Sequence, residues 1–297
     1  MTHTIDLKFQ GQAKSIAAYV VEHATGVLVV DPGPATCSAA FDAGLAALGY
    51  SLSDVTDCLL THIHFDHAGA AWRLAEAGAT VHVHPAGYKH LLNPERLWGS
   101  AARIYSEEGM ERLWGTMAPV AEGRLRQWND RETATVGGLR LLALHTPGHA
   151  KHHIAWRIGD EVFLGDVGGC RIGAGPVEPP CPPPDIDLSL WRVSLAELRK
   201  LEGVSAGYRT HYGRIEGADL AAAYDAVEEG LIRWLGYVTQ VDHTSEAGRV
   251  TAFVNAVAAE RAPYGEDVAH SYALANPAAM SVTGLLRYLA KREGETS

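Results

Sequence analysis

The chain of 297 residues is predicted to have an α/β fold in which helices cover β-sheet. Strand-like apolar runs alternate with segments of helical period over the first 85 residues, which is the main observation behind this class. The content of hydrophobic residues, 47%, is sufficient for a substantial core, and the length indicates one large domain with a smaller addition. Disulfide-dense, collagen-like and disordered chains are thereby excluded.

The elements of the first part follow from runs of β-branched residues, which predict strands, and from apolar residues at helical spacing. Short turns containing glycine or proline separate them. In chain order the expected elements are a hairpin of strands 18–23 and 27–31, a helix 37–48, a strand 57–61, a helix 68–77 and a strand 80–84.

Residues 86–125 interrupt this alternation with aromatic and charged residues at helical spacing, and they predict a helical insertion. Five basic and five acidic side chains balance within it, so it is not an electrostatic arm. Beyond the insertion the strand pattern resumes, and a stiff extended loop is expected where six prolines occupy nine positions. The expected elements there are a strand 138–144, a hairpin 154–158 and 161–164, the proline-rich loop 176–184, a helix 188–201 and a strand 206–210.

The remainder of the chain is helical in pattern, with apolar residues at helical spacing in three segments, 220–241, 246–260 and 278–292. The expected organisation is therefore a main domain of residues 1–218 followed by a C-terminal helical region of residues 219–297. No internal repeat is visible in either part.

The composition favours a metal site over a nucleic-acid surface. Fifteen histidines make up about 5% of the chain, and 35 acidic against 25 basic residues give a formal net charge of −10. No long Lys/Arg block is present, so neither a nucleic-acid nor a membrane partner is expected. Four cysteines without a close C-x-x-C pair, together with the lack of a signal peptide or membrane-length apolar run, predict a cytoplasmic protein.

The densest chemistry lies in the segment His62-Ile63-His64-Phe65-Asp66-His67, directly after a predicted buried strand. His62 and His64 are two residues apart at a strand exit, so both can point to one side. Asp66 and His67 lie in the following turn and can face a neighbouring point from another direction. The segment therefore offers ligands for two metal ions a few ångströms apart.

A metal ion needs three or four ligands, so further histidines or acids are expected at other strand ends. His149 stands in Thr-Pro-Gly-His after the strand 138–144, where proline and glycine turn the chain inward. Asp166 follows the strand 161–164, in a place where a carboxylate can bridge two cations. His211 follows the strand 206–210.

The ordered set H-x-H-x-D-H, T-P-G-H, G-D and T-H-x-G resembles the metallo-β-lactamase superfamily over about residues 1–215. Within it, the chain is similar to the glyoxalase-II-like branch and, through the stretch TPGHAKHH and the proline-rich loop, to a poorly characterised hydrolase subgroup. The resemblance implies an αββα sandwich of two mixed β-sheets flanked by helices. Residues 1–218 would be its catalytic domain, with the insertion and the C-terminal helices as additions.

The resemblance also implies a dinuclear metal site with one ligand set for each ion and a bridging carboxylate. Zinc is favoured by the imidazole-rich set, and iron or manganese is compatible with the same ligands. Carried over residue by residue, the ligands are His62, His64 and His149 for the first ion, Asp66, His67 and His211 for the second, and Asp166 as the bridge.

The implied reaction is hydrolysis, in which a metal-bridging hydroxide attacks an ester, thioester or lactone carbonyl of a small molecule. Asp66 would hold the hydroxide or return a proton to the leaving group, so Asp66 and Asp166 are the candidate catalytic residues. Oxygen chemistry is the alternative, because the superfamily includes persulfide dioxygenases with one iron held by two histidines and an aspartate. Here His62, His149 and Asp166 would supply that set.

Several other residues have both a functional and a structural interpretation. His152, His153 and Asp31 either orient a ligand or only stabilise turns. The last helices pack on the sandwich, wall the pocket or form a homodimer contact, and the sequence does not separate these. A structural role is expected for His82, His84 and His145, and aromatic pocket walls are candidates at Tyr88, Trp98, Tyr105 and Tyr212.

Overall fold

The computed structural model describes residues 1–239 and 245–295, and it contains two six-stranded mixed sheets between layers of helices. This arrangement confirms the expected αββα sandwich. In the first sheet the strands follow chain order; the first three are antiparallel and the last four run parallel. Its strands are β1 (Thr2–Asp6), β2 (Ala17–His23), β3 (Gly26–Val30), β4 (Val55–Leu59), β5 (Thr80–Val83) and β6 (Leu125–Gln127).

The second sheet is also continuous in the chain, from one edge strand to the other. Its neighbouring strands are antiparallel except at one pair near the far edge, which is parallel. Its strands are β7 (Thr133–Val136), β8 (Leu139–His145), β9 (Ile154–Ile158), β10 (Glu161–Phe163), β11 (Ala206–Arg209) and β12 (Gly213–Glu216).

Helices cover the outer face of each sheet. The first six pack on the first sheet and α7, α8, α9 and α11 on the second, whereas α10 packs in a separate small cluster around Cys170 and Ile172. The helices are α1 (Ser38–Ala47), α2 (Phe65–Ala68), α3 (Ala71–Glu76), α4 (Pro85–Leu92), α5 (Glu95–Tyr105), α6 (Glu107–Trp114), α7 (Leu188–Leu198), α8 (Leu220–Thr239), α9 (Glu246–Arg261), α10 (Glu266–Ala275) and α11 (Ala278–Glu295).

Three apolar layers hold the sandwich together. Strand β2 illustrates the division, because successive side chains of a strand point to opposite faces. Its Val20 packs towards the helices of the first sheet, whereas its Tyr19 packs between the two sheets with Trp156. The third layer lies between the second sheet and the helices α7, α8, α9 and α11, around residues such as Trp191 and Trp234.

Several elements differ from the sequence prediction. The predicted helix 68–77 corresponds to α3, which begins only at Ala71. Ala68 ends the preceding helix α2, and the Ala70 N–H between the two helices donates to the carbonyl of Gly33 across the loop. The insertion forms α4 to α6 and then an extended stretch that leads into β6. Helix α8 ends at Thr239, and positions 240 and 241 of the predicted helix lie outside the described residues. The division into 1–218 and 219–297 stays a prediction.

The parts of the chain that the structure describes contain no helix long and apolar enough to cross a membrane.

Candidate metal centre

The predicted ligands lie in loops at one edge of the sandwich. The segment 62–67 follows β4, and His149, Asp166 and His211 follow β8, β10 and β11. Backbone hydrogen bonds join the loops of the two sheets there, since the Ile154 N–H donates to the carbonyl of Thr61 and the Ala17 N–H to that of Thr210. The fold thus brings all seven predicted ligands to one place.

The first ligand set consists of His62, His64 and His149, whose ring nitrogens converge on one point. Nδ1 of His64 lies 2.9 Å from Nε2 of His62 and 3.0 Å from Nε2 of His149. The two Nε2 atoms are 3.2 Å apart. Ligand atoms around a tetrahedral zinc ion with bonds of about 2.0 Å lie about 3.3 Å apart, so the three nitrogens have nearly the spacing that such an ion needs.

The second ligand set consists of Asp66, His67 and His211. Oδ2 of Asp66 lies 3.3 Å from Nε2 of His211 and 3.8 Å from Nε2 of His67. These donor atoms form a second group beside the first. The first group consists of imidazoles only and the second combines two imidazoles with a carboxylate, and divalent transition metals accept both kinds of ligand.

Asp166 stands between the two sets and presents one oxygen to each. Its Oδ2 lies 3.3 Å from Nε2 of His149 in the first set. Its Oδ1 lies 3.3 Å from Nε2 of His67 and 3.5 Å from Nε2 of His211 in the second set. The carboxylate therefore has the position of a bridge.

Three atoms of the centre are buried without a hydrogen-bond partner among the described residues: Nε2 of His67, Nε2 of His211 and Oδ1 of Asp166. Buried polar atoms without a partner are rare in folded proteins and require an explanation. All three face one another in the second set, and a divalent cation between them would satisfy each one. The residues present therefore fit a metal ion.

The ligand rings are held by hydrogen bonds on their far sides. Nδ1 of His149 lies 2.8 Å from the carbonyl oxygen of Pro180, and Nδ1 of His211 lies 2.9 Å from that of Ser15. A carbonyl oxygen only accepts, so each Nδ1 carries the proton and each Nε2 keeps its lone pair for a cation.

Asp31 has the same role for His67, whose Nδ1 lies 2.8 Å from Oδ2 of Asp31. The side chain of Asp31 also accepts hydrogen bonds from the backbone and hydroxyl of Thr61 and from the hydroxyl of Thr210. Of the two interpretations that the sequence allowed for Asp31, the structure therefore favours the orienting one.

Burial and neighbouring charges set the protonation of the centre. Burial lowers the pKa of His64 to about 3, with the neighbouring His149 adding to the effect, so the ring is neutral at pH 7. Burial alone would raise the pKa of Asp166, but the histidines around it, led by His67, hold it well below the usual value. Burial would likewise lower the pKa of His67, and the carboxylates, led by Asp166, raise it instead.

The other histidines differ in whether they contact the two ligand sets. Nδ1 of His153 lies 2.8 Å from the hydroxyl of Thr146, and its Nε2 accepts a hydrogen bond from the backbone of Val167, so it joins the loop of His149 to that of Asp166. His152 packs against the rings of His62 and His64. By contrast, His82 is hydrogen-bonded to Trp128 and Asp57, and His84 stacks on His145 at 4.2 Å, away from the ligand sets.

The insertion contributes an aromatic wall on the side of the second set. Trp98 contacts the ring of Phe65, which lies between the ligands His64 and Asp66. Burial raises the pKa of Tyr105 to about 12, and the charge of Asp66 adds to this rise. A cavity of about 450 Å³ lies beside Trp98. Two other aromatic residues were candidates for a pocket wall. The hydroxyl of Tyr88 donates a hydrogen bond to Glu122, and Tyr212 packs between the two sheets.

Apart from Asp31, sequence reasoning missed the groups that orient the ligand rings from behind. Pro180 and Ser15 act through backbone carbonyls. Every residue type has such a carbonyl, so no sequence pattern indicates which ones orient a ligand. Thr61 and Thr210 each precede a ligand histidine, and this repeated Thr-His pair was a usable signal.

Comparison with known proteins gives consistent results. A family profile described as the metallo-beta-lactamase superfamily matches residues 12–209. A metallo-beta-lactamase fold-containing protein of Sulfurisphaera tokodaii is 28% identical over 179 residues, which are 56% of this chain and 66% of that protein, just under two thirds of its length. A hydroxyacylglutathione hydrolase of Shewanella halifaxensis is 25% identical over 247 residues, or 81% of this chain and 76% of the relative.

Among solved structures, a metallo-beta-lactamase family protein of Thermus thermophilus has the same fold, with a TM-score of 0.71 and 22% identity. The superposition covers 98% of this chain and 94% of that one. The profile match, which spans more than half of the chain, and the shared fold lead to the same conclusion: the chain belongs to the metallo-beta-lactamase superfamily.

Proposed function

We propose that this protein is a hydrolase that uses two divalent metal ions, zinc being the first choice, to cleave an ester, thioester or lactone bond of a small molecule. The position of Asp166 carries the proposal, because its two oxygens each lie 3.3 Å from a histidine of a different ligand set. A carboxylate shared in this way suits two ions a few ångströms apart.

Two ions bound here would lower the pKa of a water between them towards neutrality and polarise a substrate carbonyl. The protein would contribute orientation, because Asp31, Pro180 and Ser15 hold the ligand rings in place. Asp66 is the more exposed of the two acidic ligands, with 20% of its side chain accessible against 4% for Asp166. It is therefore the group placed to take up a proton from the attacking water and to pass it to a leaving alkoxide or thiolate.

The relatives support the same reaction class. The Shewanella protein is named a hydroxyacylglutathione hydrolase, and two further relatives with that name are 28% and 30% identical over shorter stretches. Hydrolysis of an acyl compound at a metal centre agrees with these names. The cytoplasmic location and the homodimer stay predictions.

Metal content and activity of the purified protein test the proposal together. We expect two ions per chain, and hydrolysis of at least one member of a panel of thioesters, lactones and aryl esters. His64→Ala and Asp166→Ala should lose this activity, whereas His145→Ala, which removes a histidine outside the ligand sets, should keep it. Absence of stoichiometric metal, or undiminished hydrolysis by the ligand variants, would contradict the proposal.

Persulfide dioxygenation with one iron is the second candidate. Nε2 of His149 lies 3.2 Å from Nε2 of His62 and 3.3 Å from Oδ2 of Asp166, which gives the two-histidine, one-carboxylate set of non-haem iron enzymes. One iron per chain with persulfide-dependent oxygen uptake would favour this reaction over hydrolysis.

A further inference from the structure

We propose that the C-terminal helices position the ligand His149, through a buried polar network that fixes the carbonyl oxygen of Pro180. The inference rests on the metal centre proposed above. It concerns the residues that hold the proline-rich loop. These lie at the end of α9, directly after α10 and in α11, outside the residues 12–209 that the family profile matches.

The orientation of His149 depends on a single backbone atom. Its Nδ1 lies 2.8 Å from the carbonyl oxygen of Pro180, and both residues are buried. Pro180 belongs to the loop 176–184, where six of nine residues are prolines and lack a backbone N–H. The backbone pairing of this loop with a neighbouring segment is one isolated bridge, between Cys170 and Glu178. The loop therefore needs support from side chains.

Two residues before Pro180, the fully buried Glu178 provides part of this support. Its carboxylate accepts hydrogen bonds from Nε and Nη2 of Arg261, at 2.8 and 2.7 Å, and from Nδ2 of Asn276 at 3.0 Å. A paired and fully bonded buried carboxylate has one low-energy position, because moving it would leave a charge without a partner. Glu178 thereby ties the loop to the last residue of α9 and to the residue that caps the C-terminus of α10.

One residue after Pro180, the backbone of Cys181 is held from the other side. Its N–H donates to Oγ of Ser281 at 3.1 Å, and the Ser281 hydroxyl donates to Oδ1 of Asn276 at 3.0 Å. Pro180 is thus bracketed by two anchored neighbours that share Asn276. The carbonyl that faces His149 has little freedom to move as long as this network is intact.

Helix α11 also approaches the loop closely at a glycine. A Cβ atom at Gly284 would lie 2.0 Å from the carbonyl oxygen of Cys181, well inside any allowed contact. A Cβ at Gly294, in the same helix, would meet nothing within 4 Å. Gly→Ala raises helix propensity at both sites, but only the substitution at Gly284 would push against the loop. Comparing the two variants therefore distinguishes an effect of loop displacement from an effect of helix propensity.

The test uses the full-length protein with Gly284→Ala, Ser281→Ala and the control Gly294→Ala. Zinc affinity is measured by competition with a chelator. The ring protons of His149 and His211 are followed by long-range ¹H–¹⁵N NMR of the zinc-loaded protein. His211 is an internal control, because its Nδ1 proton goes to Ser15 and not to the proline-rich loop.

We expect Gly284→Ala and Ser281→Ala to bind one of the two zinc ions about tenfold more weakly, the lower end of the range for losing a partner of a metal ligand. The Nδ1 proton of His149 should shift or exchange faster, and that of His211 should not change. Gly294→Ala should match the wild type. Ser281→Ala removes only a hydroxyl, so it keeps the test decisive should Gly284→Ala fail to fold.

Unchanged affinity and an unchanged His149 signal in Ser281→Ala would overturn this inference while leaving the metal centre in place. Equal changes at His149 and His211 would overturn it as well, because they would indicate general loosening of the protein. A wild-type protein that binds no zinc would overturn both this inference and the proposed function.

Discussion

Asp31 is the residue on which several loops of the centre depend. It is fully buried and accepts hydrogen bonds from Thr61, Thr210 and His67, which come from loops of both sheets. Its backbone has φ of 50°, in the left-handed region that few residues other than glycine, asparagine and aspartate enter. The position thus demands both a short side chain and a negative charge.

Asp31→Asn removes the negative charge but keeps the backbone conformation, since asparagine tolerates the same φ. We expect zinc affinity to fall about 10- to 100-fold, because the imidazole of His67 loses the carboxylate that orients it and raises its basicity. Chelator competition measures the change, and far-UV circular dichroism checks that the fold is kept. Affinity equal to that of the wild type would show that Asp31 only stabilises the turn.

His84 is a second residue with a testable role, because its protonation is expected to lower the stability of the fold. Burial lowers its pKa to about 4, and the stacked ring of His145 adds to the effect. The folded state therefore binds a proton less readily than the unfolded state, whose histidine has the ordinary value of about 6.5. The free energy of unfolding should fall as the pH drops from about 6.5 to about 4, with no further loss from this group below that.

His84→Asn should make this decline shallower. The imidazole caps the N-terminus of α4 by accepting a hydrogen bond from the Ala86 backbone, and asparagine is a good residue at that position. Urea titrations between pH 4 and 7 measure the effect, with His270→Asn, an exposed histidine of α10, as the control. If the free energy of unfolding of His84→Asn fell as steeply with pH as that of the wild type, the loss of stability could not be assigned to His84.

At the scale of elements, the helical insertion is anchored by Trp114. Its ring stacks on Phe9 at 5.4 Å and also contacts Phe65 and Tyr105. Phe65 lies between two ligands in the chain, so the same cluster that holds α6 also supports the start of α2.

Trp114→Ala should lower the free energy of unfolding by about 3 kcal/mol, because it leaves a cavity in this cluster. Ile104→Ala, at an exposed position of α5, should change it by less than about 0.5 kcal/mol. Urea unfolding followed by circular dichroism gives both values. Equal effects of the two variants would show that the insertion is not anchored through Trp114.

Which elements the sequence predicted depends on how much apolar surface each one buries. Strand β3 is buried on both faces, and its apolar run Val-Leu-Val-Val is unmistakable. The edge strands β1 and β12 are short and mixed in polarity, because their outer sides face solvent, and they went unpredicted. Helix α10 was also missed, because it buries only a few residues, among them Tyr272.

For the whole molecule, the meeting of the seven candidate ligands at one place was predictable, because their residue types are rare and stand at strand ends. Apart from Asp31, the groups that support them were not predictable, because the supporting contacts connect distant parts of the chain. Arg261 and Glu178 are 83 residues apart, and neither forms a recognisable motif. Such pairs become visible only once the helices are placed against the loop.

Metal removal should lower the thermal stability of the whole chain in one cooperative transition. An ion that binds only the folded state stabilises it by about 4 kcal/mol at a free concentration of about 1,000 times its Kd. Calorimetry with and without chelator measures the shift in Tm. Asp166→Asn is the comparison, since it removes the charged bridge but keeps three candidate ligands for each ion, and it should show a smaller shift with chelator than the wild type.

The strand order has one more consequence. The sandwich, residues 2–216, divides into two continuous halves, and each half forms one sheet. Residues 2–127 form β1–β6, and residues 133–216 form β7–β12. Each ligand set draws on both halves, the first through His149 and the second through His211. An ion bound in either set would act as a cross-link between the halves. Two fragments separated between β6 and β7 and produced together should therefore assemble into one particle more readily with zinc than without it.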